Sequence, residues 1–211
     1  VLTASDCAML ADFVREHDLL LLTDEVYSEL TYESERFSVA NEPGMRERTV
    51  FLGGFSKAWA MTGFRLGFVA APPDLIEAMM KVHQFGMMCA PVLSQKAGIE
   101  ALDNGWDDIA RMRTSYRERR DVMCRAFAAM GLDCYLPQGA FYAFPSIAAT
   151  GLSSMEFAMR FLDEEAVACV PGSAFGACGE GFIRCAYATD LEQIREAMTR
   201  MQRFVKRLTG E

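Results

Sequence analysis

The strongest constraint on the fold is a set of short, wholly apolar runs separated by helical stretches. Leu19-Leu20-Leu21-Leu22, Thr49-Val50-Phe51-Leu52 and Leu66-Gly67-Phe68-Val69 each lack the polar alternation of a half-solvated strand. A run of this kind is expected of a strand covered on both faces. Between the runs the pattern is helical. Leu10, Phe13, Val14 and His17 fall at helical spacing over Ser5–His17, and Pro72-Pro73 ends the third run before a predicted helix from about Asp74 to His83. Helices alternating with fully apolar strands predict an α/β fold built on a mostly parallel sheet.

After Asp103-Asn104-Gly105 the texture changes. A long amphipathic helix is predicted with Ile109, Met112, Tyr116, Met123, Phe127 and Met130 on one face. A domain boundary is expected inside it, dividing the chain into 1–110 and 111–211. Beyond it, short strands are expected near Asp133–Leu136, Ala140–Phe144, Val167–Val170 and Gly181–Ala186, alternating with two capped helices. Ser153 with Glu156 three residues on reads as a capping box, and Leu152 and Phe157 are spaced for a hydrophobic staple. Thr189-Asp190-Leu191-Glu192 reads as a second box, continued by Leu191, Ile194, Met198, Met201, Val205 and Leu208 at three- and four-residue steps. The second half therefore reads as a smaller α+β domain.

Several function classes are disfavoured by composition. The 211 residues carry a net charge of −8 and no block of lysines or arginines, so neither nucleic acid nor an anionic membrane is an expected partner. No apolar stretch reaches the roughly 18 residues of a membrane span, and a soluble, cytoplasmic protein is expected. Seven cysteines stand singly without a C-x-x-C pair, and only His17 and His83 could join them. That pattern predicts no metal site and suits buried thiols in a reducing compartment. The chain opens at Val1 and runs almost at once into a helical pattern, so the fold is expected to begin upstream.

Three segments carry chemistry. Gly53-Gly54-Phe55-Ser56-Lys57 follows an apolar strand and delivers a lysine to the strand's carboxyl end, where open α/β sheets place their ligands. A lysine there is either a solvated surface cation or an imine-forming nucleophile. Eight residues on, Arg65 stands between aromatic and aliphatic neighbours. A buried charge so flanked needs an anion, either a local carboxylate or a phosphate that guanidinium can grip through two N–H groups. Directly after Leu19–Leu22, Asp24 and Tyr27 share a face of one turn. Asp24 either caps the next helical turn or holds a heterocyclic nitrogen protonated, while the Tyr27 phenol suits a phenolate oxygen on the same ring. Together these side chains match the requirements of a pyridoxal phosphate site.

Asp24-Glu25-Val26-Tyr27, then Ser56-Lys57-Ala58-Trp59-Ala60-Met61-Thr62-Gly63-Phe64-Arg65-Leu66-Gly67, resembles the class I/II aminotransferase family of pyridoxal phosphate fold type I, in its aspartate/aromatic subgroup. The resemblance continues through Pro137–Pro145, Pro171–Gly176 and Gly181–Ala188. It implies the C-terminal part of the family's large cofactor-binding domain, joined to the small domain. Carried over position by position, it implies that Lys57 forms the internal aldimine and moves the substrate's α-proton. Asp24 would bond the pyridinium nitrogen, Tyr27 the ring oxygen, and Arg65 with Ser56 the phosphate. Arg184, read from the residues alone, is an arginine in an apolar strand with a structural ion pair as the default. The resemblance makes it the clamp for the substrate α-carboxylate.

The implied reaction passes an amino group between an L-amino acid and a 2-oxo acid, with aspartate, aromatic, alanine and branched-chain donors all open. A carbon–sulfur β-lyase or a cyclopropane-forming synthase would use nearly the same residues, and a non-catalytic, truncated domain is a further reading. A Rossmann dehydrogenase is not expected, since Gly53-Gly54 opens no G-x-G-x-x-G pattern. Two departures stand out. Gly54 occupies a place where many family members have serine. The family's upstream phosphate loop, ring-stacking aromatic and N-P-x-G asparagine have no counterpart in 1–211. A homodimer is implied for the full-length parent, and this chain by itself is expected to be a poor catalyst.

Overall fold

The computed structural model describes residues 1–33 and 35–210. It forms two compact units, Val1–Arg113 and Thr114–Glu211.

The first unit opens with helix α1 (Ala4–Glu16). Its start is fixed by a reciprocal cap: the Thr3 hydroxyl accepts the Asp6 N–H at 3.2 Å, and the Asp6 carboxylate accepts the Thr3 N–H at 2.8 Å. Cys7, Ala11 and Val14 form its buried stripe and pack with Val39 and Met45, and Leu10 and Leu21 lie against them. Phe13 and His17, expected on this packed face, belong to another. Phe13 is 53% exposed and meets the His17 ring edge-on at 4.5 Å. The small residues at i, i+4 and i+7 set the contact because they let the helix approach closely.

Three strands form the sheet of this unit, β1 (Leu21–Asp24), β2 (Thr49–Gly54) and β3 (Gly67–Ala70), in that spatial order. The β1/β2 pair is parallel, with Leu21 opposite Thr49 and Asp24 opposite Leu52. The β2/β3 pair is antiparallel, with Gly54 opposite Gly67. Only one of the two pairings is therefore parallel, and the reason lies in the connection. Phe55–Leu66 contains short turns and no crossover helix, so the next strand returns in the opposite direction. Full burial also fails: Leu20 and Leu22 are more than 60% exposed, and all of β3 is exposed. Apolar runs report hydrophobicity but not strand direction. The four-leucine run further misplaced β1, which starts at Leu21 and extends into Thr23-Asp24.

Helix α2 (Pro73–Gly86) starts with Pro73 in its first turn, where a missing N–H costs nothing. Helix α3 (Val92–Asn104) has no counterpart in the sequence expectations. Its buried residues are Ser94 and Gly98, while Leu93, Ile99 and Leu102 are exposed. A hydrophobic pattern cannot reveal a helix whose packed face is serine and glycine. Gly105 ends it, donating its N–H to the Ala101 carbonyl at 2.9 Å.

The division between units falls within helix α4 (Trp106–Ala129). In the second unit, strands β4 (Tyr142–Ala143), β5 (Val170–Pro171) and β6 (Ile183–Ala186) form an antiparallel sheet with β6 in the centre. Ile183 and Cys185 point into the core, leaving Arg184 and Ala186 on the opposite face. Helices α5 (Ser154–Glu165) and α6 (Leu191–Thr209) pack through Phe157, Phe161 and Phe204, whose ring centroids lie 5.1–5.7 Å apart. The Ser153/Glu156 capping box is present. The second box is not: Asp190 caps α6, its carboxylate accepting the Glu192 and Gln193 N–H groups, while the Thr189 hydroxyl donates to Gln193. Asp133–Leu136 forms no strand. One tie to a neighbour is the Ser146 N–H donated to the Asp133 carbonyl at 2.7 Å, and Tyr135 is exposed.

All seven cysteines are free thiols, Cys7 and Cys185 buried, Cys124, Cys134 and Cys169 half-buried, and Cys89 and Cys178 exposed, so the expected burial holds for part of the set. Among the described residues no helix is long and apolar enough to cross a membrane.

One ion cluster ties α5 to α6. The buried Glu165 carboxylate receives Arg203 and Arg207, the latter at 2.7 Å, and its carbonyl accepts Arg200 at 2.9 Å. The Arg203 hydrogen bond, joined by that of Arg207, pulls the Glu165 carboxyl from the usual 4.5 down to about 2. A carboxylate whose folded pKa is depressed stabilises the fold fully above the unfolded value and ceases to do so as pH falls through the folded one. Chemical unfolding measured between pH 5 and about 2 is therefore expected to show stability falling with acid. Glu165→Gln should be less stable at pH 7 and show a weaker slope over that interval. An unchanged slope would mean that Glu165 does not govern the acid sensitivity.

Candidate functional site

Strand direction assembles the first cluster. Because β1 and β2 are parallel, their carboxyl ends lie side by side, with Asp24 opposite Leu52 and the Glu25 N–H donated to the Leu52 carbonyl at 2.9 Å. β2 continues two residues to Gly54, and Phe55, Ser56 and Lys57 come directly after it. β3 runs the other way, so its beginning, preceded by Arg65, reaches the same end of the sheet. The antiparallel return that breaks the parallel expectation is what delivers Arg65 to this edge. Asp24, Tyr27, Ser56, Lys57 and Arg65 thus all lie at one end of the sheet. Lys57 Nζ stands 5.7 Å from the Tyr27 ring centroid.

Close side-chain approach explains the glycines. A Cβ on Gly53 would lie 2.3 Å from the Phe68 ring, and one on Gly54 would lie 3.2 Å from Val26 Cγ2. The departure at Gly54 therefore has a local reason: any side chain there presses on Val26 in the segment carrying Asp24 and Tyr27. Helix α3 braces the loop beyond Lys57. The Ser94 hydroxyl donates to the Phe64 carbonyl at 2.6 Å, the Trp59 indole donates to the Ala101 carbonyl at 2.9 Å, and Gly98 leaves room for Leu66 and Phe55. Ser94 and Gly98 escaped the sequence reading, because neither residue type signals a supporting role by itself.

Each side chain has chemistry to offer. Asp24 does cap the turn after β1, since its Oδ1 accepts the Val26 N–H at 3.1 Å. Among the described residues Asp24 has no ion pair, and its second oxygen has no protein donor. Arg65 corrects the expectation of a buried charge: it is exposed, so desolvation does not dictate an anionic partner. It holds a left-handed backbone (φ +53°, ψ +46°), which costs a non-glycine residue about 1 kcal/mol. Its guanidinium donates to the Thr62 carbonyl at 2.8 Å and pairs with no carboxylate among the described residues.

Arg184 lies in the second unit, on the outer face of β6. The structural ion pair that is the default for such an arginine is absent among the described residues. Its guanidinium carbon instead lies over two aromatic rings, 4.5 Å from the centroid of Tyr142 and 4.7 Å from that of Phe175. The sequence placed Tyr142 in the expected strand Ala140–Phe144 and Phe175 in the Pro171–Gly176 stretch of the family resemblance, but held no signal for their target.

Known proteins share this arrangement of elements. The family model described as aminotransferase class I and II matches residues 1–201. An aspartate aminotransferase from Pyrococcus abyssi is 45% identical over 209 residues, which is 98% of this chain and 54% of that protein. An aromatic-amino-acid aminotransferase of Thermococcus litoralis is 44% identical over the same shares. The crystal structure of an aromatic aminotransferase from Pyrococcus horikoshii superposes with a TM-score of 0.95 at 46% identity, covering 98% of this chain and 56% of that one. The chain spans about half the length of the curated relatives it matches.

Proposed function

The chain belongs to the class I and II aminotransferases, which use pyridoxal phosphate, and on that premise we propose that it serves amino-group transfer between an L-amino acid and a 2-oxo acid. The observation that carries the reading is the set of donors at one end of the first sheet. A lysine amine, a carboxylate with one oxygen unspent and a guanidinium with no carboxylate partner among the described residues, and a phenol are the groups an aldehyde-bearing, phosphorylated pyridine calls for. The residues fit the cofactor.

When bound, the pyridine ring supplies an electron sink that lets an amino acid's α-proton depart. Lys57 would hold the cofactor covalently through Nζ, and once substrate displaced it the freed amine would take up the substrate's α-proton and hold it for return. Asp24 keeps the ring nitrogen protonated through the oxygen that Val26 leaves free. Tyr27 would offer its hydroxyl to the ring oxygen. Arg65 and Ser56 bind phosphate, Arg65 by its two-pronged N–H fork. Arg184 binds the substrate α-carboxylate, with donors that no carboxylate among the described residues consumes.

The pair of relatives named for aspartate and for aromatic amino acids sets the first donors to try. Incubation of the cofactor-loaded protein with L-aspartate or L-phenylalanine and 2-oxoglutarate should yield glutamate. Pyruvate and ammonia released from a cysteine-type donor without any acceptor would instead place the chemistry with the β-lyases.

A further inference from the structure

The arginine assigned to the substrate carboxylate is held in an unusual way for a charged group on a sheet surface. Tyr142 stands opposite Ala186 in the β4/β6 ladder, so it shares a face with Arg184, two residues earlier on β6. This diagonal placement puts the Arg184 guanidinium carbon 4.5 Å from the Tyr142 ring centroid. The second ring, Phe175, comes from the turn Gly172–Phe175 after β5 and reaches to 4.7 Å.

Both rings are themselves supported. Phe175 meets Phe144 edge-on at 5.9 Å, and Phe144 stacks on Phe182 at 5.5 Å. Tyr142 leans on Phe141 at 4.8 Å. Phe175 is nevertheless 53% exposed. A half-exposed aromatic that packs on an arginine adds little to the core.

Stacking engages the flat surface of a guanidinium and leaves its N–H donors, which lie in the plane, for another partner. Arg184 has no hydrogen bond and no ion pair to a described residue, so those donors are unspent. An arginine side chain ordinarily gives up substantial rotamer freedom when it grips a carboxylate. Here the two rings have already restrained it.

From this geometry we infer that Tyr142 and Phe175 are positioning residues that fix the plane of Arg184 and present its N–H edge to the substrate carboxylate. The inference rests on the proposed reading of Arg184 and adds the device that orients it. Loss of either ring then weakens carboxylate binding and leaves the proton-transfer step alone, because neither ring acts on Lys57.

The test uses Tyr142→Leu, Phe175→Leu, the conservative Phe175→Tyr, and Arg184→Ala, with two readouts. In the cofactor-loaded protein, each Leu variant should raise KM for the amino-acid donor on the order of tenfold with kcat changed less than about twofold, and Phe175→Tyr should stay near wild type. By nuclear magnetic resonance of the protein without cofactor, the Arg184 side-chain protons should show a ring-current shift that shrinks in each Leu variant. If Arg184→Ala raises KM but the Leu variants leave KM and the shift unchanged, the positioning role is overturned while the carboxylate role stands. If Arg184→Ala leaves KM unchanged, the carboxylate reading fails and this inference fails with it. A variant whose kcat falls at constant KM also contradicts the inference.

Discussion

Replacing Lys57 with alanine is expected to lower amino-group transfer by about 10⁴-fold or more, because on the proposed reading one side chain both tethers the cofactor and carries the α-proton. Lys57→Arg should be no better. A guanidinium keeps the positive charge yet supplies neither a nucleophilic amine nor a base at neutral pH. The fold should be indifferent to either change, as Lys57 lies in a turn beside the buried anchors Phe55 and Ala58 rather than in the core. Stopped-flow measurement of a single half-reaction, with circular dichroism as the folding control, checks this. A Lys57→Ala variant that retains more than about a hundredth of wild-type turnover would move the proton-transfer role to another residue.

The second large effect concerns stability. A Cβ on Gly172 would sit 2.0 Å from the Gly179 carbonyl oxygen and 2.6 Å from that of Phe182. Reciprocally, a Cβ on Gly179 would lie 2.1 Å from the Gly172 oxygen. These are backbone atoms and cannot rotate aside, and the contact is locked by the Gly172 N–H donated to the Phe182 carbonyl at 2.8 Å. Gly172→Ala is therefore expected to cost about 3 kcal/mol or more, at the upper end of overpacking penalties. Gly86→Ala, where nothing stands within 4 Å, should stay within about 0.5 kcal/mol of wild type. Guanidinium unfolding curves for the two variants make the comparison. The loop that Gly172 and Gly179 pin together carries Phe175, so partial disorder there should also loosen the ring over Arg184.

Much of the candidate site is legible because its chemistry and its strand ends are written in adjacent letters. Asp24 follows the apolar run of β1 and Lys57 follows that of β2, so a lysine and a carboxylate could be assigned to one sheet end before any geometry was known. Arg65 reaches this end of the sheet for a reason its neighbours do not give. Its apolar neighbours suggested burial, whereas it is exposed and reaches the site through the reversed direction of β3. The supports were illegible: α3 packs through Ser94 and Gly98, and the Arg184 stack depends on a diagonal across β4/β6 that residue types do not encode.

The same limits shaped the fold. Helix α5 was legible at its start because a capping box is a local signal, whereas α6 was read with the wrong cap because Thr189 and Asp190 compete and the carboxylate is the stronger acceptor. Asp133–Leu136 has the composition of a strand but no ladder partner, and pairing is a property of the whole sheet.

The most direct test of the central claim is a mass map after borohydride reduction of the protein loaded with pyridoxal phosphate. The chain has four lysines, Lys57, Lys81, Lys96 and Lys206, so every outcome can be read from separate peptides. A phosphopyridoxyl group is expected on Lys57, with little on the other three. Equal labelling of all four, or labelling that spares Lys57, would contradict the assignment of Lys57 as the cofactor's anchor.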